Sequence, residues 1–351
     1  MSPTAEPDAH LREIRQQPAA IRRAAEALLE QGHVLRDLGE RSRALRIVLT
    51  GMGSSFDAGF PAVDHLAERG VVVLHANAAE ILHFRLPWIT AETVLVLVSQ
   101  SGGSAEVVRL AERARSAAEP PLIVSLTNGL ANELAGIADI ALDTRTGPET
   151  APSSMTFAAT LVQLGAIARA IGGDDPAVAA TGIADAAART SDAVQSLLDE
   201  EDTIAERIAD VGRGQRTMVI VGRGAARATA EMGALTLQEC GVVADGFEAG
   251  AFRHGPFELA GPRLGAIVVA TERRTRSLEL GLAGDLRATG SAVVVLTDEP
   301  DADAIVLAAV DRLLSPAVSM VPIQLGARRL AIEAGREPGR YAFATKVTTR
   351  E

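Results

Sequence analysis

The chain has 351 residues, of which 47% are hydrophobic, and this is enough for two domains with apolar cores. A net charge of −11 and an aromatic content of 3% argue against a nucleic-acid partner, which would favour basic patches and stacking side chains. The single cysteine, Cys240, excludes an internal disulfide and fits a reducing compartment, so we expect a cytoplasmic protein.

The first half of the chain alternates short apolar runs with helical patterns. Residues 1–42 begin polar and charged, unlike a signal peptide, and then have the apolar spacing of a lead-in helix. Five apolar runs predict strands within 45–55, 71–76, 93–100, 121–128 and 138–144. Helical patterns separate most of them, near 57–69, 79–84 and 104–117, and no uncharged apolar run is long enough for a membrane span. This alternation predicts a parallel sheet covered on both faces.

The same pattern restarts after a long alanine-rich section. Residues 153–212 have a helical composition that is interrupted at GGDDP, 172–176. The segment 217–241 then resembles 45–70, and the runs at 264–272 and 291–299 resemble the later strands of the first half. We therefore predict an internal duplication of one α/β unit, ending in a helix at about 319–335. The expected domains are a helical lead-in at 1–42, a first α/β domain at 43–172, a helical connector at 173–212, a second α/β domain at 213–335 and a tail at 336–351.

Two strand-to-helix junctions of the first half carry small polar side chains. They are Ser54 and Ser55 at the first, and Ser99, Gln100, Ser101 and Ser104 around two glycines at the other. Ligands of open α/β sheets bind at the carboxyl ends of strands, where glycines let an anion approach the backbone and hydroxyls add donors. The sequence therefore predicts a phosphate cradle, although Ser104 could instead be only a helix N-cap beside a glycine turn. Neither loop has the pattern of a dinucleotide or nucleoside triphosphate site.

Three residues of the second half and the tail are candidates for chemistry. Glu239 ends an apolar helical pattern and His254 precedes Gly255 and Pro256, so a carboxylate and an imidazole could divide the proton transfers. Lys346 is the only lysine of the chain, and lysine, unlike arginine, can form a Schiff base. The structural alternatives are a solvated helix residue, a turn histidine and a solvated tail residue. Cys240 is expected to be buried filler, and the scattered histidines predict no metal or cofactor.

Five motifs resemble, in order and spacing, those of the two-domain sugar isomerase (SIS) family. They are GMGSS at 51–55, SQSGGSAE at 99–106, ALTLQE at 234–239, FRHGP at 252–256 and ATKVT at 344–348. The resemblance covers about residues 20 to 351 and is most specific to the isomerase half of glucosamine-6-phosphate synthase. It implies two tandem SIS domains, each a flavodoxin-like αβα sandwich with a parallel sheet.

The resemblance also implies a role for each candidate residue. The sugar phosphate would bind at Ser54, Ser55, Ser99, Gln100, Ser101, Ser104 and Ser153. Glu239 falls on the carboxylate that moves a proton between C1 and C2 of the open-chain sugar. His254 falls on the histidine that opens the ring, which reaches the site from the neighbouring subunit of a homodimer. Lys346 falls on the lysine that can form a Schiff base with a ketose phosphate.

The chain departs from the synthase in three places. Met155 replaces the lysine of the family's VASTK segment, and Thr236 replaces a second lysine three residues before the carboxylate. The start MSPTAE lacks the cysteine of the synthase's glutaminase domain, so we expect no use of glutamine. These departures put the synthase's own substrate in doubt and favour a different sugar or amine substituent.

The presence of Glu239, His254 and Lys346 favours an enzyme over a sensor. The leading hypothesis is an amino-sugar-phosphate isomerase and deaminase, for example converting glucosamine 6-phosphate and water to fructose 6-phosphate and ammonia. The alternatives are a deglycase of phosphorylated fructosamines, a simple aldose–ketose phosphate isomerase and a non-catalytic phosphosugar-binding regulator. The expected partners are a sugar phosphate and a second copy of the chain, with no nucleic acid and no membrane.

Overall fold

The computed structural model describes residues 8–42 and 45–350, and its first part is a group of three helices. They are α1 (Ala9–Arg15), α2 (Gln17–Glu30) and α3 (Gly32–Arg41). The sequence predicted a single lead-in helix here. The break between α1 and α2 follows from Pro18, which lies in the first turn of α2 and has no N–H to continue the hydrogen bonds of α1.

A five-stranded parallel sheet forms the first half. Its elements are β1 (Arg46–Thr50), α4 (Ser54–Asp57), α5 (Phe60–Ala67), β2 (Val73–His75), α6 (Ala78–Glu80), β3 (Thr93–Val98), α7 (Ala105–Arg115), β4 (Leu122–Thr127), α8 (Glu133–Ile137) and β5 (Ile140–Asp143). A π-helical turn, Ile81–Arg85, and a 3-10 turn, Leu86–Trp88, follow α6. The strand order is β2-β1-β3-β4-β5, and every residue of β3 and β4 is buried, as expected for strands covered on both faces.

Three long helices connect this sheet to a second parallel sheet. The helices are α9 (Met155–Ile171), α10 (Pro176–Leu198) and α11 (Glu201–Gly212). The second half contains β6 (Thr217–Gly222), α12 (Ala226–Glu239), β7 (Ala244–Glu248), α13 (Ala249–Arg253), the 3-10 turn Pro256–Leu259, β8 (Leu264–Val269), α14 (Arg276–Ala288), β9 (Ala292–Thr297), β10 (Ile305–Val306) and α15 (Ser315–Glu333). Its strand order is β10-β9-β8-β6-β7.

The two sheets have the same topology. Counted from the first strand of each half, both have the order 2-1-3-4-5 of the flavodoxin-like fold, with all pairs parallel. The predicted fold class and duplication are therefore confirmed. Strands β7 and β10 were not predicted, because ADGFE contains two acids and a glycine and β10 has only two residues.

The main hydrophobic core runs between the two sheets. It includes one face of each sheet together with side chains of α9, α10, α11, α12 and α15. Helix α9 is buried almost throughout, and α15 packs against both α11 and α12. The connector is therefore a shared layer that fixes the halves against each other. Within the described ranges, no helix is both long and apolar enough to cross a membrane.

Candidate active site

A cavity of about 910 Å³ lies beyond the carboxyl ends of β1 and β3, where the first half meets α12 and the tail. Its lining contains eight of the ten candidate residues: Ser54, Ser55, Gln100, Ser101, Ser104, Ser153, Glu239 and Lys346. Tail residues between Gly335 and Thr348 form one wall. Side chains separated by almost 300 positions in the sequence thus face the same space.

The loop after β1 is built for close backbone approach. A Cβ atom at Gly51 would lie 2.9 Å from the carbonyl oxygen of Val98, so only glycine lets the loop pass this close to β3. Gly53 has a φ of +52°, which favours glycine, and it precedes the first turn of α4. Ser54 and Ser55 open that turn, and the N–H of Ser55 donates to the carbonyl of Met52 at 3.2 Å.

The loop after β3 is held by glycine and by its own hydroxyl groups. Gly102 has a φ of +64°, and an added Cβ would lie 2.0 Å from Oδ1 of Asn132. The hydroxyl of Ser101 accepts a hydrogen bond from the N–H of Gly103 at 3.2 Å. Ser104 occupies the N-cap position of α7, but its side chain makes no capping bond and instead lies 3.1 Å from the hydroxyl of Ser99. Its hydroxyl is therefore available at the cavity wall.

Ser99 does not line the cavity. It is only 2% exposed and lies behind Ser104, so this arrangement supports the position of the neighbouring hydroxyl. The N–H of Ala105, which begins α7, donates to the carbonyl of Thr348 at 3.1 Å. The tail thus reaches the helix end beside the predicted phosphate cradle. The binding roles of these serines stay predictions.

Glu239 is the last residue of α12 and projects into the cavity. Its Oε1 accepts a hydrogen bond from the hydroxyl of Tyr341 at 3.3 Å, and its buried Oε2 has no partner among residues 8–42 and 45–350. Burial raises the pKa of Glu239, while the positive charge of Lys346 and the Tyr341 hydrogen bond lower it. A carboxylate with a raised pKa and one free oxygen is suited to accept and return a proton.

The amine of Lys346 is held by two hydrogen bonds to the loop between β5 and α9. Its Nζ donates to the carbonyl of Ala151 at 2.6 Å and to Oε2 of Glu149 at 3.1 Å. The Glu149 side chain is fully buried and also accepts the N–H groups of Ser154 at 2.9 Å and Thr156 at 3.1 Å. The ammonium group of Lys346 is therefore paired and ordered, unlike that of a solvated tail lysine.

The two positions that lack a family lysine lie outside the cavity lining. Met155 is 1% exposed, and Thr236 is fully buried with its hydroxyl donating to the carbonyl of Met232 at 3.0 Å. Ser153 does reach the cavity, and its hydroxyl lies 2.7 Å from that of Thr156. The cationic side chains of the described lining are those of Lys346, Arg336 and Arg340.

Two other candidates occupy different environments. Cys240 touches the cavity but is 4% exposed, and burial raises the pKa of its thiol to about 12, so it remains an uncharged filler. His254 ends α13 on the exposed surface and is not among the lining residues. Its predicted donation to a neighbouring subunit stays a prediction.

Two functional neighbours were missed by the sequence analysis. Tyr341 is the chain's single tyrosine, but nothing in its local sequence indicates that it contacts Glu239. Glu149 lies alone in the loop between β5 and α9, without a pattern that marks a buried carboxylate. The contact of Tyr341 with Glu239 and that of Glu149 with Lys346 both depend on the path of the tail, which sequence periodicity does not describe.

Comparisons with known proteins agree with this architecture. The sequence pattern of the SIS domain matches residues 42–170 and 213–328. The glutamine–fructose-6-phosphate aminotransferase (isomerizing) of Aeropyrum pernix is 28% identical over 359 residues, which cover 97% of this chain and 57% of that protein. The enzyme of the same description from Pyrococcus horikoshii is 29% identical over 349 residues, with the same coverage of 97% and 57%. The chain thus spans somewhat over half the length of these curated relatives.

Solved structures show the same fold at low sequence identity. The C-terminal domain of glucosamine-fructose-6-phosphate aminotransferase from Francisella tularensis has a TM-score of 0.85 at 22% identity, covering 97% of this chain and 99% of that chain. Tagatose-6-phosphate ketose/aldose isomerase from Escherichia coli has a TM-score of 0.79 at 21% identity, with coverage of 97% and 98%. Glucosamine-6-phosphate deaminase from Thermotoga maritima has a TM-score of 0.76 at 16% identity, with coverage of 97% and 99%.

Proposed function

The chain belongs to the SIS domain family, and on that premise we propose that it is an enzyme that isomerises and deaminates an amino-sugar phosphate. The supporting observation is that the serine-lined loops, Glu239 and Lys346 all line one cavity. A phosphosugar-binding regulator needs the serines but has no use for a carboxylate with a raised pKa and an ordered amine. The arrangement therefore favours catalysis over binding alone.

The phosphate group would bind at the two serine loops. The hydroxyls of Ser101 and Ser104 line the cavity and are donors suited to an anion. Neutral donors of this kind bind phosphate without lysine, which fits a protein with a net charge of −11. With its phosphate group bound there, the sugar would extend its carbon chain toward Glu239.

Glu239 would transfer the proton between two carbon atoms of the sugar, C2 and C1. In the open-chain aminoaldose, its carboxylate would remove the proton on C2 and return it to C1. The carbonyl oxygen on C1 would gain a proton and the C2 nitrogen would lose one, which gives an alcohol at C1 and an imine at C2. Water would then hydrolyse the imine to a ketone and release ammonia. Tyr341, 3.3 Å from Oε1, would keep the carboxylate oriented during both transfers.

Lys346 would hold or trap the ketose carbonyl. Its ammonium group must lose a proton before it can attack carbon, and Glu149 Oε2, 3.1 Å away, can accept that proton. Ring opening before these steps would fall to His254, supplied by the second subunit of a homodimer. The exposed position of His254 on this chain is compatible with such a donation.

Deglycation of a phosphorylated fructosamine is the second candidate. The cavity of about 910 Å³ lies near the upper end of the usual range for small-molecule sites, so it has room for an amine substituent larger than hydrogen. The same carboxylate and lysine would serve, and the products would be a sugar phosphate and an amino acid. Identification of a free amino acid by mass spectrometry, in place of ammonia, distinguishes this reaction from deamination.

The first experiment is phosphorus NMR of glucosamine 6-phosphate incubated with the purified protein, beside Glu239→Gln as the control. A fructose 6-phosphate signal with the unaltered protein alone would support deamination and the role of Glu239. An unchanged spectrum would reject this substrate, and phosphorylated fructosamines would be assayed next. Binding of several phosphosugars without turnover of any would reject the enzyme and favour the regulator.

A further inference from the structure

We propose that Glu13, on helix α1, is a positioning residue for Lys346, which it holds through the backbone of Thr150 and Ala151. The proposal rests on the proposed function only in taking Lys346 to be the reacting amine. Glu13 is remote in sequence from every motif of the site. It would act without touching the substrate.

The position of Lys346 depends on the loop at 149–151. Of its two acceptors, one is the carbonyl oxygen of Ala151 at 2.6 Å and the other is the carboxylate of Glu149 at 3.1 Å. Both acceptors belong to this loop, so its conformation fixes where the amine lies.

Glu13 fixes this same loop. Its Oε1 accepts the N–H of Thr150 at 2.7 Å and the hydroxyl of Thr150 at 2.9 Å, and its Oε2 accepts the N–H of Ala151 at 3.0 Å. The N–H that binds Glu13 and the carbonyl that binds Lys346 belong to the same residue, Ala151. A rotation of that residue would therefore change both contacts together.

Helix α1, which carries Glu13, is itself held by two contacts of Asp8. Asp8 caps α1 through the N–H of Leu11 at 2.9 Å, and its other oxygen accepts from Nε of Arg328 on α15 at 2.8 Å. Helix α15 leads directly into the tail that carries Lys346. Helix α1 is thus joined through Asp8 to the helix that precedes the tail.

Burial of the Glu13 carboxylate would be energetically unfavourable without these hydrogen bonds. Glu13 is only 7% exposed, and a buried carboxylate is unfavourable unless hydrogen bonds compensate for its lost hydration. Three donors from a single loop supply that compensation. A leucine or alanine at this position would pack in the core without them, so the carboxylate is explained by the loop that it holds.

The test uses the fact that Lys346 is the only lysine of the chain. The rate of its acylation by acetic anhydride, followed by peptide mass spectrometry, reports how firmly the amine is held and requires no substrate. Glu13→Gln keeps the size of the side chain but presents an amide N–H₂ to backbone donors. Glu26→Gln, on the exposed side of α2, is the matched control.

We expect Glu13→Gln to raise the acylation rate of Lys346 about tenfold, the equivalent of one hydrogen bond to a charged group. Glu26→Gln should leave the rate unchanged. Thr150→Val, which removes only the hydroxyl bond, should give a smaller increase. An unchanged rate in folded Glu13→Gln would overturn the proposal, and if that variant does not fold, an unchanged rate in Thr150→Val would do so.

Kinetics separate positioning from a general loss of structure. With an accepted substrate, Glu13→Gln should lower kcat with little change in KM, and it should have no further effect in a Lys346→Met background. An equal effect with and without Lys346 would show that Glu13 acts by another route. If no phosphosugar is turned over, the acylation rates still decide whether Glu13 holds Lys346, so failure of the proposed function is seen separately.

Discussion

Gly339 offers a quantitative test of how the tail is docked. It has a φ of +83°, and a Cβ atom there would lie 2.9 Å from Cβ of Ala151 and 3.3 Å from the backbone nitrogen of His10. The tail therefore turns at Gly339 while in contact with both α1 and the loop that binds Lys346. Gly335 has a similar φ of +71°, but an added Cβ would meet nothing within 4 Å.

The two glycines separate backbone strain from steric contact. Alanine in the left-handed region costs about 1–2 kcal/mol at either position. At Gly339 the contact with Ala151 adds overpacking of about 1–3 kcal/mol. Because the tail can relieve this strain by leaving the cavity, Gly339→Ala should increase the undocked population roughly 5- to 150-fold more than Gly335→Ala does.

A lysine-specific endoproteinase measures this population directly. The chain has one lysine, so the enzyme can cut only after Lys346 and releases residues 347–351. When opening is fast relative to cleavage, the rate of cleavage follows the open fraction. We expect Gly339→Ala to be cut faster than Gly335→Ala by the factor above, at similar melting temperatures. Equal cleavage rates for the two variants would refute the docking geometry.

Further predictions concern the reacting groups. Tyr341→Phe removes a hydrogen-bond donor to the Glu239 carboxylate, so the pKa of Glu239 should rise. The acidic limb of the profile of kcat against pH should therefore move to higher pH. If this limb does not move, Glu239 is not the group that titrates in it. Ser104→Ala should raise KM about tenfold with little change in kcat, by loss of one hydrogen bond to phosphate, whereas Ser277→Ala on the exposed face of α14 should match the unaltered protein. Mixing inactive His254→Ala with inactive Glu239→Gln should restore activity at about a quarter of the sites if a symmetric dimer exchanges subunits. No recovery after confirmed exchange would argue against donation of His254 across an interface.

Much of the fold could be predicted from the sequence because its signals are local. Continuous apolar runs such as 93–98 mark strands buried on both faces. The helical composition of 153–212 corresponds to three helices; the break at 172–175 was predicted, whereas the break between Leu198 and Glu201 was not. The short strand β7 could not be predicted, because it pairs with β6 through backbone groups while its side chains remain polar. The division of the lead-in into three helices depends on small effects at helix ends, which periodicity does not register.

The candidate site likewise has a part that could be predicted from local sequence and a part that could not. The serine loops were predicted because each is contiguous in sequence and lies at the end of a strand. Glu13, Glu149 and Tyr341 were not predicted, because each becomes important through a partner more than 100 residues away or through the path of the tail. Conversely, the position of Ser99 behind Ser104 follows from burial of the strand end, which the pattern of polar residues conceals.

The duplicated halves explain why equivalent loops have different roles. After β6, the N–H of Ala225 at the start of α12 donates to Oε1 of Glu272 at 3.0 Å, so a carboxylate of the protein itself occupies this helix start. Glu272 is bound in turn by Nε of Arg312 at 2.8 Å, and the same guanidinium reaches Asp64 of the first half at 3.1 Å.

The two ends of helix α12 therefore have different surroundings. Its first turn is bound to Glu272, which is joined to the first half through Arg312, and its last residue is Glu239 at the cavity. Near that end, Leu235 lies within 3.6 Å of the position a Cβ would take at Gly53. At this helix start the second copy of the unit binds an internal carboxylate, and the ion pair of Glu272 with Arg312 holds the helix that carries the proposed base against the first half.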